Sequence, residues 1–108
     1  FASNESAASG MLLALRDAGL AHGKVKFVGF DAGETPLDGL KKGDLQGFVV
    51  QDPLKMGYLG VKTMVAVLHG EKVPRSIDTG VGFVTQENMN DPAIADLLSP
   101  PLDKYLKQ

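Results

Sequence analysis

The sequence predicts an α/β protein built on a doubly wound parallel sheet. Short runs rich in Val and Phe alternate with longer segments of helical spacing. Those short runs are nearly continuously apolar, the pattern of strands covered on both faces, and clear caps and stops punctuate the segments between them. Strands separated by helices imply right-handed crossovers.

The strand-like runs are 25–30, 47–50 and 80–84. Before the first, Ser3 or Asn4 caps a helix running to about Ala18, with Met11, Leu12 and Leu15 on one face and Gly19 as its stop. Thr35-Pro36 then places a capping hydroxyl before a proline at the first helical position, and Gly43 closes a short helix. Asp52-Pro53 repeats the device and opens the longest helix, to about His69, with Gly70 after it. Met56, Gly60, Met64 and Val67 follow helical spacing there, and Val61, Val65 and Leu68 widen the apolar face. Asp91-Pro92 opens a further helix to Leu98. Ser99-Pro100-Pro101 breaks it, leaving a last turn over 102–106.

With 108 residues the chain accommodates one domain but not two. Hydrophobic residues at 44% and charged residues at 22% place it among globular chains rather than disordered ones. Net charge is −2 with the signs interspersed, so no basic block marks a nucleic-acid or membrane surface. Apolar runs such as 48–50 and 64–68 are far shorter than the ~20 residues needed to span a bilayer. The absence of cysteine excludes disulfides and thiolate chemistry. The opening Phe1-Ala2-Ser3-Asn4 reads as a buried strand end running into a helix cap, which leads to the expectation that sequence precedes it.

In an open α/β sheet, ligands bind just beyond the carboxyl ends of the strands. That rule selects Ser3-Asn4, Phe30-Asp31 and Gln51-Asp52. Asn and Gln each offer an acceptor and two donors, and an ionised Asp accepts from two hydroxyls at once, the mixture that vicinal sugar hydroxyls require. Phe30 offers an apolar face to the C–H side of a sugar ring. A plainer reading stands beside this one, in which Asn4 and Asp52 are helix caps and Asp31 is a turn residue.

Other chemistry finds less support. His22 and His69 fall near predicted helix C-termini, where imidazole suits the dipole. No His/Cys/Asp cluster has metal-ligand spacing, and residues 29–33 carry neither the Rossmann pattern nor a Walker lysine. Ser3, Ser6 and Ser9 lack a nucleophile-elbow motif. Asp31 and Asp52 have nothing in sequence to mark them as an acid/base pair. The expectation is a binding protein without cofactor or metal, not an enzyme.

At the same strand ends the sequence resembles the ribose/galactose type of periplasmic solute-binding protein, which serves sugar ABC transporters. The matching runs are FASNESAASG at 1–10, KVKFVGFDAG at 24–33, the segment 40–74 around QDPLKMGYLG, and IDTGVGFVTQEN at 77–88. The resemblance implies sugar-binding roles for Asn4, Phe30, Asp31 and Gln51, with Glu5 standing where the family has aspartate. It also implies a monosaccharide ligand (pentose or hexose), a membrane permease as partner, and a periplasmic or extracytoplasmic lipoprotein location.

The family has two α/β lobes that close over sugar, and on that pattern this chain is a carboxy-terminal part holding a partial lobe. Residues 1–51 would belong to the second lobe, 52–85 to hinge crossings with a helix that packs on the first lobe, and 86–108 to a helical tail. The partner expected for that helix is the missing first lobe, and without it the chain is expected either to self-associate or to repack relative to the family. The alternative is the sugar-binding effector domain of a lactose-repressor-type regulator. Such regulators end on a strand with an arginine-serine signature, where this chain has Val81-Gly-Phe-Val-Thr-Gln-Glu-Asn.

Overall fold

Phe48 and Val50 are almost fully buried on β2 (Gly47–Val50), the central strand of a three-stranded sheet in the order β1-β2-β3. These elements come from a computed structural model describing residues 1–106; the last two residues of the predicted tail lie outside the described residues. β1 (Val28–Phe30) pairs with β2 in parallel, in the register Val28↔Gly47 to Phe30↔Val49. β3 (Gly82–Val84) joins the other edge antiparallel, with Phe48 opposite Val84 and Val50 opposite Gly82.

The parallel pair is the one expected, whereas the third strand reverses. The reason lies in the path between β2 and β3. The long helix α3 (Pro53–Leu68) carries the chain away from the sheet for roughly 24 Å at 1.5 Å per residue. Residues 71–81 then return beside it, where the Lys55 ammonium donates to the Thr79 carbonyl at 3.0 Å. A chain returning along its outward path enters the sheet running the opposite way, and an antiparallel neighbour needs no crossover helix.

Burial on both faces comes nearest to holding in β2, where Gly47, Phe48 and Val50 are buried and Val49 is partly so. Phe83 and Val81 are 50% and 70% exposed, so the apolar run at 80–84 marks an edge strand rather than a doubly covered one. The first strand-like run shortens too: Val25 is exposed in the turn, and pairing begins at Val28.

The core lies between this sheet and the first two helices. α1 (Glu5–Asp17) is capped by Asn4, whose Oδ1 accepts from the Ala7 amide at 2.8 Å, and Gly19 at φ 66° follows the helix end. Its buried face is Ala8, Leu12 and Leu15; Met11, expected there, is 46% exposed. α2 (Glu34–Lys42) lies against α1, and Leu12 sits so close over Gly39 that a Cβ there would overlap it.

α2 begins earlier than expected, with Gly33 at the N-cap and no side-chain cap bond, so Thr35 is not a capping hydroxyl. Pro36 still falls in the first turn, where an amide has no intrahelical acceptor to lose. Gly43, left-handed at φ 76°, closes the helix as expected. Asp52 caps α3 through the Lys55 amide at 2.8 Å. α4 (Pro92–Leu98) and α5 (Asp103–Leu106) complete the tail.

Among the described residues one charged side chain is buried. Asp44, 1% exposed, accepts from Arg16 Nε at 2.8 Å and from the His22 amide at 3.1 Å; His22 Nδ1 lies 2.8 Å from the same carboxylate. Burial alone would push the Asp44 carboxyl up, but the Arg16 side chain, the His22 amide and the neighbouring positive charge outweigh it, and the group titrates below its usual range. His22 therefore answers to a carboxylate in a turn where its own φ is 57°, rather than to the dipole of a helix end. His69 does occupy the C-cap of α3.

α3 stands apart from this core. None of its residues is buried, and Val61, Met64 and Leu68 are 68%, 61% and 75% exposed. The radius of gyration is 17.1 Å, against about 13 Å expected for a compact chain of this length.

Candidate functional site

Parallel strands end on the same side of a sheet, so the residues following β1 and β2 arrive together. Asp31 and Gln51 are those residues. The Asp31 amide donates to the Val49 carbonyl at 2.8 Å, extending the ladder by one bond, and Gln51 Nε2 donates to Asp31 Oδ1 at 3.1 Å. Asp31 is held left-handed at φ 66°, a conformation Asp tolerates better than most residues. Its bond to Gln51 occupies one lone pair of the carboxylate and one hydrogen of the amide. The remaining carboxylate lone pairs and Gln51 Oε1 form an acceptor set.

The two side chains line a cleft of about 450 Å³ with Glu5, the third polar side chain in it. The Glu5 side chain lies against Gly33 so closely that a Cβ there would oblige this exposed, flexible carboxylate to shift. A carboxylate at a helix N-terminus is favoured by the dipole. The cleft's other lining is apolar: Ala32, Val50, Pro53 and Met56 from the body, and Leu97, Leu98 and Pro100 from the tail.

Asn4 and Phe30 do not line this cleft. Asn4 is exposed at the start of α1, next to Glu5, and capping uses one lone pair of its Oδ1 while its amide hydrogens take no part in it. Phe30 is half-buried on β1 opposite Val49. Of the four residues expected to form the site, the fold thus joins Asp31 and Gln51 directly and leaves Asn4 and Phe30 beside them. The cap and turn readings hold as well, since Asn4 and Asp52 do cap helices and Asp31 does adopt a turn conformation.

Glu5 and the tail residues were not among the expected site residues. Glu5 had a signal, following Asn4 at a strand end. Leu97, Leu98 and Pro100 had none, because their place depends on how the tail docks about fifty residues after Gln51. Gly82 makes room for that docking: a Cβ there would lie 3.2 Å from Leu97 Cδ1 and 3.5 Å from Ile94 Cδ1. A larger groove of about 510 Å³ runs between α3 and residues 74–79, lined mainly by apolar side chains such as Met56, Met64 and Ile77. No carboxylate or carboxamide side chain lines it, so the smaller cleft is the better candidate.

Polar side chains converging beyond the ends of two parallel strands form a ligand cleft of the kind that open α/β sheets carry. The chain belongs to the periplasmic binding protein domain family, whose model matches residues 1–72. It is 35% identical over 86 residues to the ribose import binding protein RbsB of Haemophilus influenzae, an alignment covering 80% of this chain and 28% of that protein. Among solved structures it is similar to a carbohydrate transporter solute-binding protein from Agrobacterium radiobacter in complex with D-arabinose. The TM-score is 0.81 at 47% identity, covering 89% of this chain and 32% of that one. An ABC transporter solute-binding protein from Agrobacterium vitis with bound D-fucose gives a TM-score of 0.81 at 40% identity, covering 89% and 33%. This chain thus spans about a third or less of the length of these relatives.

Proposed function

We propose that this chain forms one wall of a monosaccharide site in a two-lobed extracytoplasmic receptor, which hands its sugar unchanged to an ABC-type permease. The observation that carries the reading is the Asp31–Gln51 pair, bonded at 3.1 Å at the ends of adjacent parallel strands. Such a pair presents fixed acceptors to neighbouring hydroxyls without further ordering of the side chains. Asn4 and Phe30 are assigned to the rim of the same site. The sugars bound by the similar solute-binding proteins, D-arabinose and D-fucose, support a monosaccharide as ligand.

In this reading residues 1–51 are part of the second lobe, 52–85 cross the hinge and carry α3, and 86–108 form the tail. The exposure of α3 supports it: an apolar helix with no buried residue is suited to the surface of another lobe. Lobe closure then supplies the opposite half of the contacts to sugar.

The test is sugar-dependent thermal stabilisation of the complete receptor carrying this sequence. A ligand at a hundred times its Kd stabilises by about 2.7 kcal/mol. Asp31→Ala should abolish that response, whereas an unchanged response would remove Asp31 from the site.

A further inference from the structure

The cleft is two-faced. Its polar side is Glu5, Asp31 and Gln51, while the tail contributes only apolar groups, Leu97, Leu98 and Pro100. Leu97 and Leu98 also pack on the main core, and Leu97 lies close over Gly82 of β3. They are half-buried, with one side on the core and the other on the cleft. Contact with the core on one side lets these leucines present an apolar wall to the cleft on the other.

A monosaccharide ring anchored by its hydroxyls on Asp31 and Gln51 would present its opposite edge to the apolar lining of the cleft, of which this wall is part. In a pentopyranose that edge is a ring CH2, and in a 6-deoxyhexose it carries a methyl group. In an aldohexopyranose it carries a hydroxymethyl, whose hydroxyl would give up water for leucine side chains that accept and donate nothing. We infer that Leu97 and Leu98 of α4 are specificity-determining residues, selecting monosaccharides that lack an exocyclic hydroxymethyl hydroxyl at the edge away from Asp31. The inference rests on the proposal of a sugar site at Asp31 and Gln51, and adds the class of sugar and the residues that choose it. An apolar pocket rejects an added hydroxyl by at most about a hundredfold, so the expected preference is roughly tenfold to a hundredfold.

The experiment is calorimetric titration of the complete receptor with sugars matched except at that group: D-ribose with D-allose, D-arabinose with D-altrose, D-xylose with D-glucose, L-arabinose with D-galactose, and D-fucose with D-galactose. In whichever pairs bind, the pentose or the deoxy sugar should bind the tighter by the stated factor, a result that needs no variant. Leu98→Ser, which offers the hydroxyl a partner, should narrow the ratio at least threefold and keep pentose affinity within about threefold; Leu98→Thr serves if the serine variant is poorly folded. Hexose binding equal to or tighter than its matched partner overturns the inference while leaving the sugar site standing, as does an unchanged ratio in a folded Leu98 variant. Failure of every sugar to bind overturns both.

Discussion

Asp44→Ala should destabilise the chain by about 2–3 kcal/mol, a figure set by what the carboxylate holds. Arg16 Nε loses a charge-assisted acceptor at 2.8 Å, and such bonds contribute roughly 1.5–3 kcal/mol. Breaking a fully buried pair would cost more, about 3–5 kcal/mol, but Arg16 is 27% exposed and keeps Asp38 at 3.1 Å, so the upper range does not apply. The His22 imidazole, 76% exposed, adds little because water takes the place of the lost acceptor. Its part-buried amide adds a further share, since it would lose its acceptor at 3.1 Å. Urea denaturation of wild type, Asp44→Ala, Arg16→Ala and the double variant gives the coupling directly. A loss below about 0.5 kcal/mol, or strictly additive single losses, would refute the claim that this buried pair ties α1 to the start of β2.

Other expectations follow from the same structure. The Asp44 carboxyl is depressed in the folded state, so its contribution is present above the unfolded value of 3.8 and is lost as pH falls through the lower folded value. Denaturation midpoints should therefore decline below about pH 4 in wild type, and the decline should be shallower in Asp44→Ala. Gly47→Ala would press a Cβ to 2.6 Å from the Phe83 ring and 2.8 Å from the Val84 carbonyl, and should cost about 1–3 kcal/mol by urea midpoint; a neutral result would mean that β3 pairs more loosely than its register indicates. The 108-residue chain by itself should self-associate through α3, and Val61→Glu with Leu68→Glu should shift it toward monomer in sedimentation velocity. A wild-type chain that sediments as a monomer at high concentration would contradict this. The same chain alone should bind sugar no better than millimolar, since closure of a second lobe supplies much of the contact; micromolar binding would refute the two-lobed reading.

The helices were legible because their signals are local. Asn4, Asp52 and Gly43 act on amides or dihedrals within a few residues, so sequence placed these ends well. Thr35 misled because a proline fits several positions of a first turn, and the helix starts two residues earlier, at Glu34, with Pro36 still in that turn. Met11 misled because helical spacing allows a wider apolar face than the sheet covers, and only contact with the sheet selects Ala8 in its place.

Asp31 and Gln51 were identifiable because a strand's carboxyl end is visible in sequence, and parallel pairing brings two such ends together. Sequence therefore determined the α/β class, the parallel pair, the placing of Asp31 and Gln51 at its strand ends and the apolar character of the long helix. Tertiary structure decided the rest: the reversal of β3, the burial of Asp44 against Arg16, and the leucines that the tail brings to the cleft of Asp31. Each of these depends on where chain segments meet after long excursions, and no local periodicity or capping residue encodes such a meeting.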